Sequence, residues 1–119
     1  MFKAKRFART VLSVFAVACA LATSGQASAD LFVSKTIAMI ETPNSGRPCI
    51  FIWLDGVSSA GPATPGQPWM AIRQAHPGYR EMVAIIMAAK LANRPINVKT
   101  LDTLATGCNL VEVDYITFP

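Results

Sequence analysis

The sequence has little of the side chains that build most catalytic and metal sites. It contains one histidine, His76, and its three cysteines form no Cys-x-x-Cys motif, which argues against a zinc site and a thiol-exchange centre. His76 precedes Pro77-Gly78, a setting typical of a loop or cap, and the neighbouring sequence supplies no nucleophile and carboxylate to complete a catalytic set. We therefore predict no catalytic residue, no metal, no cofactor and no enzymatic activity.

A basic run is also missing from most of the chain. The net charge of +4 arises within the first ten residues, from Lys3, Lys5, Arg6 and Arg9, and residues 30–119 carry equal numbers of basic and acidic side chains. Proteins that bind nucleic acid draw much of their affinity from basic groups that neutralise phosphates. The sequence therefore argues against a nucleic-acid partner.

Residues 1–29 have the pattern of a cleavable signal peptide. The basic residues are followed by an apolar stretch over residues 11–22, and the segment ends in Ala27-Ser28-Ala29. Such a stretch is too short to span a bilayer, and small residues at alternate positions precede signal peptidase cleavage. Cys19 raises the alternative of a lipid-attachment site, but Ala16 stands where a larger aliphatic residue is usual. We predict cleavage between Ala29 and Asp30, a secreted or periplasmic location, and one mature domain over residues 30–119 without a membrane span.

Two cysteines, Cys49 and Cys108, lie in the predicted mature domain. Export places them in an oxidising compartment, where an even pair favours a disulfide over two free thiols. A domain of about 90 residues buries a modest share of its surface and often needs such a cross-link. We predict a disulfide between Cys49 and Cys108.

Apolar patterns predict five strands and one helix. The second strand is apolar on both faces, which indicates that both are covered within the domain or that one meets a partner chain. The first two strands are expected to form a hairpin, because Pro43-Asn44-Ser45-Gly46 between them favours a tight turn. The predicted strands are Leu31–Thr42, Cys49–Asp55, Trp69–Arg73, Ile96–Thr100 and Val111–Ile116, and the helix is Tyr79–Asn93.

The predicted helix is more apolar than one packing surface requires. Val83, Ile86, Met87 and Leu91 lie on one face at helical spacing, and a further set, Met82, Ile85 and Ala89, widens the apolar arc. We predict that this second set, Met82, Ile85 and Ala89, forms an interface between copies of the chain. Full burial of the helix within one small domain is the alternative.

The order strand, strand, strand, helix, strand, strand predicts a mainly β domain with the layout of an OB-fold, a small five-stranded, partly open barrel. The loops that follow the first and fourth strands of this barrel lie at the same end. Cys49 follows the first strand and Cys108 lies in the second of these loops, so the predicted disulfide agrees with the predicted topology.

The mature chain resembles the OB-fold B subunits of bacterial A-B toxins, in particular the binding subunits of the subtilase-cytotoxin and pertussis-like group. The resemblance covers nearly the whole mature chain through short segments that variable loops separate. These segments are Ile37-Ala38-Met39-Ile40, Cys49-Ile50-Phe51, Trp69, the run from Ala88-Ala89-Lys90 into Asn93-Arg94-Pro95-Ile96-Asn97-Val98, and Gly107-Cys108.

The resemblance implies a ring of five subunits whose helices line a central pore, whose barrels bind surface glycans, and whose partner is a secreted catalytic subunit. It also implies a sugar contact at Ser34, in Phe32-Val33-Ser34, because a serine of the first strand region contacts the sugar in members that bind sialic acid.

Two tryptophans are candidates for ligand binding on physical grounds. The flat apolar face of an indole stacks on the C–H face of a pyranose, and its N–H donates a hydrogen bond. Trp53 lies inside a strong strand, where a core or interface position competes with this interpretation, whereas Trp69 lies beside a loop. We select Trp69, with Ser34, as the predicted ligand-binding residues.

Two hypotheses for function follow. In the first, the domain is an exported binding module that recognises a glycan or a protein through barrel loops as a homo-oligomer. In the second, it is a monomeric periplasmic OB-fold protein that has an interaction or structural role in the cell envelope. The excess apolar surface of the helix favours the first, because large exposed apolar patches are uncommon on monomers.

Overall fold

Six strands and one helix make up the part of the chain that the computed structural model describes, residues 30–43 and 46–119. The predicted signal peptide, residues 1–29, lies outside the described residues. The elements in chain order are β1 (Leu31–Lys35), β2 (Ile37–Glu41), β3 (Cys49–Leu54), β4 (Met70–Arg73), α1 (Tyr79–Ala92), β5 (Ile96–Leu104) and β6 (Val111–Thr117).

The strands form one mixed sheet in the order β1-β5-β6-β4-β3-β2. Only β4 and β6 are parallel neighbours in this sheet; the other pairs are antiparallel, and β2 and β3 form the predicted hairpin. The prediction of a mainly β domain with a single helix is confirmed. The five-stranded barrel is not confirmed: the sheet has six strands, and among the described residues no pairing closes its two edges.

The structure has one strand more than predicted, because the predicted first strand, Leu31–Thr42, breaks at Thr36 into β1 and β2. Ser34 has a left-handed φ of 52°, and its N–H donates to Asn97 Oδ1 at 2.9 Å. Thr36 accepts a hydrogen bond from the Asp55 N–H at 2.9 Å through its carbonyl, and its hydroxyl donates to the Asp55 carboxylate. β1 and β2 thus lie at opposite edges of the sheet with one residue between them in the chain, so the two edges meet at Thr36.

The main core lies between α1 and one face of the sheet. Ile50, Ile52 and Leu54 of β3 project into it, as alternate residues of a strand must. The helix contributes Met82, Ile86 and Ala89, which are spaced by four and three residues along one face. α1 ends at Ala92, and Asn93 caps it in the left-handed conformation with φ of 49°.

The orientation of α1 corrects the predicted interface set. Met82 and Ala89 are 4 % and 1 % exposed because they contact the main core of their own chain, so they are not open to a neighbouring copy, and Ile85 is half-buried against the same core. Of the other set, Ile86 lies in the core, whereas Met87 and Leu91 are 48 % and 85 % exposed. The buried side of α1 therefore combines residues of both sets, because apolar residues surround most of the helix and their spacing does not identify the side that docks.

A smaller cluster covers the other face of β3. It contains Cys49 and Phe51 of β3, Ala71 of β4, and Ala105 and Cys108 of the connection between β5 and β6, which we call the covering loop (residues 105–110). The Cys49–Cys108 disulfide is present, as predicted. Both faces of β3 are therefore covered within one chain, which accounts for its continuous apolar sequence.

Arg47 connects the covering loop to β3 through two contacts. Its guanidinium donates to the Cys108 carbonyl at 2.6 Å and lies 4.4 Å from the centre of the Phe51 ring.

Within the part of the chain that the structure describes, no helix is long and apolar enough to cross a membrane.

Candidate functional site

Trp53 and Trp69 form a pair on the outer face of the sheet, away from α1. Ile52 pairs with Met70 across β3 and β4, which brings the next residues, Trp53 and Trp69, opposite each other. Their ring centres are 5.7 Å apart and the ring planes are tilted by 58°. Met39 of β2 pairs with Trp53 from the other side, so we call Met39, Trp53 and Trp69 the tryptophan surface.

The tryptophan surface is half-buried because the covering loop ends beside it. Trp69 packs against the smaller cluster, next to Leu110 of the covering loop. Trp53 is held from the opposite side by a hydrogen bond of 3.2 Å from its indole N–H to the Val57 carbonyl. Both side chains retain solvent access, and Met39 is exposed.

Two side chains at or beside this surface have N–H donors without a partner among the described residues. Among residues 30–43 and 46–119, the indole N–H of Trp69 has no acceptor, in contrast to that of Trp53. Gln67 accepts the Trp69 backbone N–H through Oε1 at 3.4 Å, and its amide N–H groups likewise have no partner within those residues. Neither nitrogen is buried. The surface and the adjoining Gln67 therefore combine apolar rings with N–H donors that no described residue engages, an arrangement that can contact a sugar or an amide.

Ser34, the other predicted ligand contact, lies in a different part of the sheet. It is exposed on β1 and its N–H contacts Asn97 of β5, whereas Trp69 contacts Trp53 beside β3 and β4. The two predicted ligand residues do not contact each other, and the proposed role of Ser34 stays a prediction.

His76 occupies the loop before α1. Its Nδ1 accepts a hydrogen bond of 2.9 Å from the Gly78 N–H, so the ring organises the turn that leads into the helix. In the described chain, no group of three or more His, Cys, Asp or Glu side chains is arranged to hold a metal ion.

The exposed side of α1 is a second candidate surface. Ala84, Met87, Ala88 and Leu91 lie on it, and Leu91 is the most exposed large apolar side chain of those described. We call these four residues the helix surface. It differs from the interface set predicted from the sequence, which lies mostly in the core.

Of the residues at this candidate surface, the sequence analysis selected Trp69 but not Met39 or Gln67. The sequence analysis placed Met39 in a strand. Its pairing with Trp53 depends on a shift of the β2–β3 register between Ile37 and Met39, which the sequence pattern does not reveal. Gln67 lies in a loop rich in Gly and Pro, where no periodic pattern exists to mark a functional side chain.

A comparison of the sequence with protein-family models finds no match, and a comparison with curated proteins finds none either.

Proposed function

We propose that residues 30–119 form an exported, non-enzymatic binding module that recognises a glycan at the tryptophan surface and acts as a homo-oligomer. The half-exposed Trp53–Trp69 pair carries this proposal. Two indoles held in place by the sheet offer a stacking face that is ordered before a ligand binds, and the Trp69 N–H, which has no acceptor among the described residues, can orient the ligand.

An OB-like barrel is part of the proposal. If β1 and β2 are counted as the two halves of one bent strand, five strands remain and the helix lies between the third and the fourth. The OB-fold is a partly open barrel with this order, and it binds oligosaccharides in some of its members. The resemblance to toxin B subunits described above supports the same fold and the same class of ligand.

Export is supported by the leader pattern and by the disulfide. Both cysteines are fully buried in the smaller cluster, and such cross-links form and persist outside the cytoplasm. Mass spectrometry of the protein from the periplasm or the culture medium tests this, because cleavage before Asp30 requires a chain that starts at that residue.

Glycan binding is tested with a glycan array and with intrinsic fluorescence. The chain has two tryptophans and both belong to the tryptophan surface, so bound sugar should shift or quench the emission. We expect Trp69→Ala to weaken binding roughly tenfold or more, because it removes an aromatic contact worth about 1 kcal/mol beyond its buried area.

Tyr115→Ala is the matched control for this substitution. Tyr115 is an exposed aromatic residue of β6 that pairs with Lys99 of β5, so it lies away from β3. Loss of binding in Trp69→Ala alone supports the proposal. Equal binding by Trp69→Ala and the unchanged protein would exclude the tryptophan surface as the site.

Self-association is assigned to the helix surface. Leu91 and Met87 expose apolar area that a second copy would cover. Light scattering of residues 30–119 should give a discrete oligomer that Leu91→Lys dissociates without changing the free energy of unfolding of the monomer. Thr103→Lys, at an exposed position of β5, is the matched control. A monomeric unchanged protein would instead favour the monomeric envelope protein.

A further inference from the structure

The two indoles of the tryptophan surface lie at the spacing of consecutive sugars in a chain. Trp53 belongs to β3, Trp69 directly precedes β4, and their ring centres are 5.7 Å apart. In an extended glycan, neighbouring pyranose rings are separated by one ring and one bridging oxygen, a length close to this distance. A chain that crosses the strands therefore brings one sugar to Trp53 and the next sugar to Trp69.

The tilt between the two indoles excludes a single sugar as the ligand of both. Their ring planes differ by 58°, and a pyranose stacks with its C–H face parallel to an aromatic face, so one sugar cannot stack on both rings. Two sugars that share a glycosidic bond can each adopt the orientation of one indole, because the bond allows rotation between them. For the same reason the two indoles cannot both lie flat on the surface of a polysaccharide crystal.

Contacts with the rest of the domain fix the orientation of each indole. The Trp53 N–H donates to the Val57 carbonyl at 3.2 Å, and Trp69 packs, like Leu110, against the smaller cluster. The angle between the two rings is therefore set before a ligand binds, which lowers the entropy cost of binding. Met39 continues the row on β2, about 5 Å from β3, and its exposed side chain offers an apolar contact to a third sugar.

We infer that the tryptophan surface binds a stretch of a single extended glycan chain, with two consecutive hexopyranose residues stacked on the two indoles. This inference rests on the proposed function, since it names the form of the glycan that the same surface binds. A β-1,4 linkage between equatorial positions fits this arrangement, because it keeps the chain extended and leaves the C–H faces of each ring uncovered. The Trp69 N–H, which has no acceptor among the described residues, is then available to a hydroxyl oxygen of the chain.

The experiment measures how affinity depends on chain length. Titrations of tryptophan emission on residues 30–119 use oligomers of β-1,4-linked glucose and of β-1,4-linked N-acetylglucosamine, together with α-1,4-linked glucose oligomers, whose chains curve. In a β-linked series we expect the second residue to raise the affinity roughly tenfold, because it binds within a molecule that is already held. If one indole carried all the binding, a second residue would add one equivalent position and raise the affinity only about twofold.

Trp53→Leu separates the contributions of the two indoles. It should abolish the gain between one and two residues and change the affinity for the monosaccharide less than about twofold, because Trp69 remains. Tyr115→Leu, at an exposed aromatic position of β6, is the matched control and should keep the gain. Equal losses for monosaccharide and disaccharide in Trp53→Leu would overturn the inference. The length series uses the unchanged protein, so it gives a result even if this variant does not fold.

The outcomes separate this inference from the proposed function. A gain below about threefold on the second residue in both β-linked series, with binding lost in Trp69→Ala, would overturn the inference and keep a glycan site at the tryptophan surface. An equal gain in the α-linked series, or adsorption to crystalline cellulose or chitin that soluble oligosaccharides do not displace, would also overturn it. Absence of binding by every oligosaccharide series and every glycan on the array would overturn the proposed function itself.

Discussion

Removing the Cys49–Cys108 disulfide should cost the domain a large part of its stability. The bond joins residues separated by 59 positions. A cross-link that closes a loop of this length lowers the conformational entropy of the unfolded chain by an amount worth roughly 4 kcal/mol at 25 °C. The total free energy of unfolding of a native protein is about 5–15 kcal/mol, so such a loss would remove a large share of it.

The native state should also loosen locally in the double variant Cys49→Ala/Cys108→Ala. The bond anchors the covering loop over Phe51 and Ala71, so without it that loop is held by Arg47, by apolar contacts and by backbone hydrogen bonds within the loop. Hydrogen exchange should therefore rise first in residues 105–110, while the amides of β3, which is paired with β2 on one side and β4 on the other, stay protected.

The assay is equilibrium urea unfolding of residues 30–119, followed by far-ultraviolet circular dichroism. With an m-value of about 1.3 kcal/mol/M, the midpoint of the double variant should fall by roughly 3 M. Thr106→Ala, an exposed position in the covering loop, is the control and should stay within about 0.5 kcal/mol. A loss below about 1 kcal/mol in the double variant would refute the reasoning from loop closure.

Three further predictions use the same urea assay. Asn93→Ala should cost about 1 kcal/mol while Asn93→Gly costs nothing, because Asn93 has φ of 49°; equal losses would contradict a left-handed cap. Gly107→Ala should cost more than Gly66→Ala, since both have positive φ but an added Cβ at Gly107 alone meets a side chain, at 3.3 Å; identical losses would exclude that contact. Glu112→Gln should cost about 1–2 kcal/mol, because it leaves Arg73 without its ion-pair partner beside the sheet; an unchanged midpoint would show that the pair contributes nothing.

The elements with strong local patterns were predictable from the sequence. The strand that begins at Cys49 has no polar residue before Asp55, and this pattern requires cover on both faces, which the main core and the covering loop supply. The helix start at Tyr79 and its stop before Pro95 also follow from local signals. The disulfide followed from the presence of two cysteines in residues 30–119.

Features that depend on distant contacts were not predictable. The break at Thr36 is held by Asp55, and the left-handed Ser34 by Asn97, so the sequence around residues 31–42 reads as one continuous strand. β5 extends to Leu104 because Leu104 pairs with Val111, although Asp102 and Thr103 looked like loop residues. The docking side of α1 depends on the shape of the sheet below it.

The junction at Thr36 has a consequence for the order in which the chain folds. Leu31 pairs with Lys99, so the first strand has no neighbour on its own side of the sheet until β5 has been synthesised. Contacts of such long range slow folding, because the intervening chain must be closed before they form. The pairing of β1 with β5 therefore forms late in synthesis. Because a single residue, Thr36, joins β1 to β2, the two edges of the sheet can both be in place only after β5 has been made.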